Sequence, residues 1–142
     1  MSDKSTGMTN LSKWAAQFHA AGELARRKYV VAFTTGNTPV TDLLVKSPRE
    51  KFFQVQVKGQ FNRAQWIIKE VPDAENLYYI LVYMPKKESE APRYFIMPSD
   101  EVRVRIAAED RRTKRAHLKP FPLAMPWRAA EPWRDRWNIL PR

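Results

Sequence analysis

Residues 36–58 read GNTPVTDLLVKSPREKFFQVQVK, and this stretch decides how the rest of the chain is read. It holds two strand-like runs, Val40–Val45 (VTDLLV) and Phe52–Lys58 (FFQVQVK), joined by Ser47, Pro48, Arg49 and Glu50. A Ser-Pro pair flanked by charge between β-rich runs reads as a hairpin loop. The second run alternates: Phe53, Val55 and Val57 point one way, and Phe52, Gln54, Gln56 and Lys58 the other. Gln56 and Lys58 then share a face, roughly 7 Å apart at strand spacing. Asp42 stands early on the neighbouring antiparallel strand. An acid, an amide oxygen and an amine are therefore expected to converge on one hairpin.

Working outward, Leu11, Trp14, Ala15, Phe18, Ala21, Gly22 and Ala25 recur at helical spacing, with Leu24 at the edge of that face. They predict a helix capped by Thr9 or Asn10, ending near Arg27 and laying this face on a sheet. Residues 1–8 are polar and are expected to be a disordered start. Tyr29–Phe33 (YVVAF) predicts a strand, Trp66–Lys69 a short one, and Arg93–Met97 the last of the core. Leu77–Met84 (LYYILVYM) is nearly all apolar and predicts a central strand covered on both faces. Pro98-Ser99 opens a second helix, with Ser99 as N-cap and Asp100 and Glu101 in the first turn, where the helix dipole favours acids. Its far end, Arg111–Arg115 (RRTKR), is strongly basic. Residues 119–142 are rich in Pro and Trp, which excludes one long helix. A short helix is expected over Glu131–Leu140, with Trp133 and Trp137 on one face. Three Trp are too apolar to leave in water, so this tail packs on the body or at a dimer interface.

The hairpin pattern resembles the core of the PD-(D/E)xK nuclease superfamily, which has the restriction-endonuclease-like fold. In that family an Asp on one strand is followed, one hairpin later, by an (Asp/Glu)-x-Lys tripeptide. Asp42 matches the Asp, and Gln56-Val57-Lys58 matches the tripeptide with Gln in place of the acid. Gly36 and Asp42 with Leu43-Leu44-Val45, and Val55-Gln56-Val57-Lys58-Gly59, look like the Mrr-type and Holliday-junction-resolvase-like branches, some of which carry Gln there. The resemblance covers roughly residues 10–100. It implies an α/β fold in which a mixed β-sheet is flanked by an N-terminal helix and a basic C-terminal helix. It also implies a metal-dependent endonuclease or resolvase-like hydrolase of DNA phosphodiester bonds. Mg²⁺ (or Mn²⁺) would be held by Asp42, Gln56 and the Val57 carbonyl. Lys58 would orient the attacking water and steady the phosphate. The family's first-helix Glu falls at Gln17, so a second acid position is also an amide.

The whole chain fits these expectations. A length of 142 residues, 44% hydrophobic content and five Trp predict one folded domain. The absence of Cys excludes a disulfide framework and Cys-ligated zinc, and points to an intracellular, cytoplasmic protein. No apolar run reaches membrane-spanning length, and no signal-peptide core is present. A formal charge of +10 favours a polyanion, most simply DNA, with RNA compatible. Arg103, Arg105, Arg111, Arg112, Lys114, Arg115 and Lys119 are the expected phosphate contacts, with Phe61 or Tyr83 as base-stacking candidates. A non-catalytic nucleic-acid-binding module with a decayed site on the same fold is the alternative. Arg112 and His117 have a spacing that resembles the HEPN ribonuclease signature, but those proteins are helical bundles and this chain is strand-rich.

Overall fold

The structure is a computed structural model that describes residues 3–34, 41–115 and 123–142, with side chains from residue 10 and excluding that of residue 115. Helix α1 (Asp3–Arg26) leads into β1 (Val30–Phe33), β2 (Leu43–Lys46) and β3 (Phe52–Gln60). The short β4 (Gln65–Ile67) precedes β5 (Leu77–Tyr83) and β6 (Arg93–Pro98). Helix α2 (Ser99–Arg115), β7 (Ala124–Pro126) and the four-residue α3 (Trp127–Ala130) follow, and then two 3₁₀ turns. The main sheet runs β1-β2-β3-β5-β6. Its first three strands are an antiparallel meander, β5 is parallel to β3, and β6 is antiparallel to β5. The protein is thus α/β with an open, mixed five-stranded sheet and flanking helices. Among the described residues no helix is long and apolar enough to cross a membrane.

The β2–β3 turn explains the register. The Glu50 N–H donates to the Ser47 carbonyl at 2.9 Å, and the Lys51 N–H donates to Ser47 Oγ at 2.9 Å. Pro48 occupies the second turn position, where its fixed φ fits. The closed turn pairs Leu43 with Val55 and Val45 with Phe53, all four buried on the α1 side. That face also takes Ile80, Val82 and Ile96, covered by Ala16, Ala20 and Leu24 of α1. The other face buries Tyr79, Leu81, Phe95 and Met97 beneath Val102 and Ile106 of α2, Trp66 of β4 and Met125 of β7. β5 lies between β3 and β6 and is covered on both faces, which suits its unbroken apolar run.

Several expectations are corrected. Helix α1 begins at Asp3, not at Thr9 or Asn10, so residues 3–8 are its first turns. No Pro stands before Pro39, and a single Gly7 costs a helix only about 1 kcal/mol. The helix also presents a different face to the sheet. Ala16, Gln17, Ala20, Ala21 and Leu24 are buried, whereas Leu11, Trp14 and Phe18 are exposed. At 100° per residue this is a rotation of roughly a third of a turn from the expected face. The cause is Gly59. A Cβ there would collide with the Ala16 side chain and lie 2.8 Å from the Ser12 carbonyl, so α1 crosses β3 where only small side chains fit. Gly59 makes room for a helix backbone, and β3 continues past it to Gln60.

The predicted helix over Glu131–Leu140 is replaced by 3₁₀ turns at Glu131–Trp133 and Trp137–Ile139. Between them Arg134 is extended and Asp135 has a φ of +53°, which breaks any helix. Arg134 bridges to Phe95, and the Asp135 N–H donates to the Tyr94 carbonyl at 2.9 Å. The segment therefore crosses the outer edge of β6. Trp133 packs on the α2 side of the sheet, and Trp137 with Leu140 on the α1 side. Gly36, Val40, His117 and Lys119 lie outside the described residues, as does the side chain of Arg115.

Candidate functional site

Asp42 is not inside β2 as expected but at a bend immediately before it. Its backbone N–H still donates to the Val55 carbonyl at 2.9 Å, and its carbonyl accepts the Thr34 N–H at 3.0 Å. Its carboxylate then does what the next strand residue would do: Asp42 Oδ2 accepts the Val57 N–H at 2.8 Å. Short acidic side chains compete in this way with the ladder and end it. One carboxylate oxygen is thereby fixed on β3, within the tripeptide Gln56-Val57-Lys58. Extending the β2–β3 register by one residue sets Asp42 opposite Gln56, and Lys58 lies two residues along the same face. The Val57 carbonyl shares the edge of its N–H, past the end of β2.

The electrostatics set these groups apart from surface residues. Burial pushes the Asp42 pKa above the ordinary carboxylate value, and the Val57 N–H, Lys13 and Lys58 only partly oppose it. Burial draws Lys58 below the ordinary lysine value; Asp42 opposes this, and Lys13 and Lys69 add to it. Tyr79, opposite Gln56 on β5, is raised to about 12 by burial, against Arg103 and with a further push from Asp42. Gln56 Oε1 is buried and has no hydrogen-bond partner among the described residues. Such an acceptor is costly unless something binds it.

Lys13 is the residue that sequence reasoning missed. It stands one turn before Gln17 on the sheet-facing side of α1, and its charge acts on both Asp42 and Lys58. The signal was present in the i, i+4 spacing of Lys13 and Gln17. Gln17 is 6% exposed, a buried position for an amide. Among the described residues no group of three or more His, Cys, Asp or Glu is placed to hold a metal ion, and Asp42 is the only carboxylate that acts on Lys58.

The expected phosphate contacts that fall among the described residues lie elsewhere, on α2, and most are already engaged. Arg103 donates to Asp100 at 2.8 Å and to the Pro72 carbonyl at 2.9 Å. Arg105 pairs with Glu101 at 3.5 Å, Arg112 with Glu109 at 2.7 Å, and Lys114 with Asp110 at 3.0 Å. Arg111 is exposed and has no ion pair among the described residues. Of the stacking candidates, Phe61 packs against the α1-side core, while Tyr83 is edge-on to Trp127 at 5.2 Å and under Arg93 at 5.7 Å. Both are half-buried and line one pocket with Arg63, Lys86 and Lys87.

Compared with known proteins, the chain matches no family model, and no curated protein or solved structure gives a significant match.

Proposed function

We propose that the protein is a metal-assisted phosphodiesterase of nuclease type acting on DNA, built on a restriction-endonuclease-like frame. The observation that carries this reading is the Asp42 carboxylate pinned to the Val57 N–H, with Gln56 opposite it and a pKa-depressed Lys58 beside it. The order of elements supports it too: a helix, a three-stranded meander with the site at the bend before its second strand and on its third, further strands, then a helix.

The donor set fits a hard divalent cation. Asp42 keeps one carboxylate oxygen free of the Val57 N–H, Gln56 Oε1 is a buried acceptor without a donor, and the Val57 carbonyl is on the same edge. Mg²⁺ is commonly held by one or two carboxylates with substrate phosphate and water completing the shell. When bound, it would supply Lewis-acid activation of a phosphodiester and an acidified water. The chain's own residues do the rest. The Val57 N–H orients the carboxylate. Lys58 neutralises the non-bridging phosphate oxygens, and its lowered pKa suits it to exchange a proton with the attacking water. Lys13 adds a second positive charge to attract the phosphate.

Cleavage of supercoiled plasmid and of branched DNA with Mg²⁺ or Mn²⁺ tests the reading, with Asp42→Ala and Lys58→Ala alongside. Cutting that both substitutions abolish is the expected result. No cutting with either metal refutes it. One observation favours a second reading, a nucleic-acid-binding module with a decayed site: amides stand at both Gln17 and Gln56, and three lysines act around a single carboxylate. Salt-sensitive DNA binding that survives Asp42→Ala, without cleavage, is its signature.

A further inference from the structure

The parallel strands of the sheet, β3 and β5, finish together at the paired residues Gln60 and Tyr83. Beyond their carboxyl ends lies a cleft of about 350 Å³, formed by the chain leaving β3 and the loop leaving β5. Open α/β sheets bind ligands at such strand ends, and the size is within the range of small-molecule sites. Phe61 and Tyr83, both half-buried, give the cleft its aromatic lining, and Asn62, Arg63, Lys86 and Lys87 line it from exposed positions. It shares no residue with the Asp42–Lys58 site.

The cations here are free, unlike most of those on α2. Among the described residues no ion pair engages Arg63, Lys86 or Lys87, and Glu90 is the one carboxylate in the lining. The Arg63 guanidinium lies over the Trp127 ring, 4.5 Å from its centre. An arginine stacked in this way keeps its in-plane N–H fork available and pre-organised for two oxygens of a phosphate. Trp127 also meets Tyr83 edge-on at 5.2 Å, so the three side chains are packed as one unit.

The unpaired buried atoms around the cleft agree in sign. Gln60 Nε2 and Trp127 Nε1 have no hydrogen-bond partner among the described residues. Gln60 adjoins Phe61 and pairs with Tyr83, and Trp127 touches both Arg63 and Tyr83. Both orphans are donors, whereas the orphan at the Asp42 site, Gln56 Oε1, is an acceptor. Donors and three cations call for acceptor oxygens. A phosphate supplies them, and an attached base supplies a flat face for Phe61 and Tyr83.

We infer that this cleft is a nucleotide site, in which Arg63, Lys86 and Lys87 hold the phosphate and Phe61 and Tyr83 flank the base. Phosphate and base are common to a free nucleotide and to the 5′-phosphorylated end of a strand. The site stands apart from the nuclease reading and needs none of its residues.

The test is an NMR titration of the ¹⁵N-labelled full chain in EDTA at physiological salt. With dTMP, the amides of Asn62, Arg63, Lys86 and Lys87 and the Trp127 indole N–H should shift together and saturate at millimolar ligand or below. Ribose 5-phosphate, which lacks the base, and thymidine, which lacks the phosphate, should each bind at least about threefold more weakly. Arg63→Lys keeps the charge but loses the fork, and should weaken dTMP about tenfold. Glu90→Gln removes the opposing charge and should tighten it about two- to fivefold. Arg111→Ala, on α2, should change it less than twofold. The inference is overturned if dTMP shifts no signal, or if the shifts centre on α2 or around Lys58. It is also overturned if ribose 5-phosphate binds as tightly as dTMP, or if Arg63→Lys and Glu90→Gln bind like the parent. Short oligo-dT with and without a 5′-phosphate separates the two sources. A phosphorylated strand that shifts the same signals at lower concentration than dTMP identifies a strand end, and a strand that leaves them unmoved while dTMP shifts them identifies a free nucleotide.

Discussion

Substituting Gly59 by alanine places a methyl group into contact with the Ala16 Cβ, 2.8 Å from the Ser12 carbonyl and 3.2 Å from the Met84 methyl. Met84 can turn aside, but a helix carbonyl and a Cβ cannot, so α1 must lift from β3. Gly→Ala inside a strand otherwise gains about 0.5–1 kcal/mol through backbone entropy. Overpacking a fitted contact costs typically 1–3 kcal/mol. Both near contacts are backbone-fixed, so the upper part of that range applies and the net loss is about 2 kcal/mol. With a urea slope of about 2 kcal/mol/M, the unfolding midpoint drops by about 1 M. The partner experiment is Ala16→Gly, which alone costs about 1 kcal/mol of helix propensity and about 0.8 kcal/mol of methyl burial. In the double variant the methyl at residue 59 occupies the space left at residue 16. The two losses should then fall short of additive by at least about 1 kcal/mol. A neutral or stabilising Gly59→Ala, or strict additivity in the pair, would show that α1 does not cross β3 at this point.

Four further outcomes follow from other parts of the molecule. Lys58→Met should leave stability unchanged or raise it by about 1 kcal/mol while abolishing cleavage, because it removes a half-buried ammonium whose pKa burial has lowered. Asp42→Asn carries a pH signature. A carboxyl whose folded pKa is raised destabilises the fold when ionised, so any advantage of the Asn variant is present at neutral pH. It shrinks as pH falls through the folded pKa of Asp42 and is gone below the unfolded value; urea melts at a series of pH values would read this, and an advantage that grows on acidification contradicts it. Trp137→Ala should cost about 3 kcal/mol or more, since the ring is buried against Tyr94 and beneath the Arg27 guanidinium at 4.1 Å. At the hairpin, Glu50 has a φ of +62°, so Glu50→Gly should raise the melting temperature slightly and Glu50→Val lower it.

The β2–β3 hairpin was legible because its signals are local. Alternation in Phe52–Lys58 and the Ser47-Pro48 turn specify register without help from the rest of the chain. The apolar run of β5 was equally plain. What could not be read was the rotation of α1, because helical periodicity finds an apolar stripe but not which of two stripes the sheet accepts. Trp14 and Phe18 outweigh Ala16 and Ala20 in hydrophobicity, yet Gly59, some forty residues away, admits only the small ones. The bend at Asp42 was hidden for a related reason. Its side chain captures the Val57 N–H, a choice between backbone and side-chain bonding that propensity does not encode. Lys13 was missed because its role depends on where the helix points it. In the tail, the positive φ of Asp135 sends Trp133 and Trp137 to opposite faces of the sheet, where spacing alone had put them together.

The path of that tail has a consequence for synthesis. Residues 124–140 are translated after every strand of the main sheet, yet they complete both aromatic cores and cover the β6 edge. Until they emerge, a nascent chain carries Trp66, Phe95 and Tyr94 without their late-arriving partners, next to a strand edge open to any passing peptide. Closure then joins the first helix to one of the last turns through Arg27 and Trp137, a contact more than a hundred residues apart in sequence. Such contacts form late and slowly. Until the segment around Trp137 is in place, the chain therefore exposes aromatic surface that the folded protein covers.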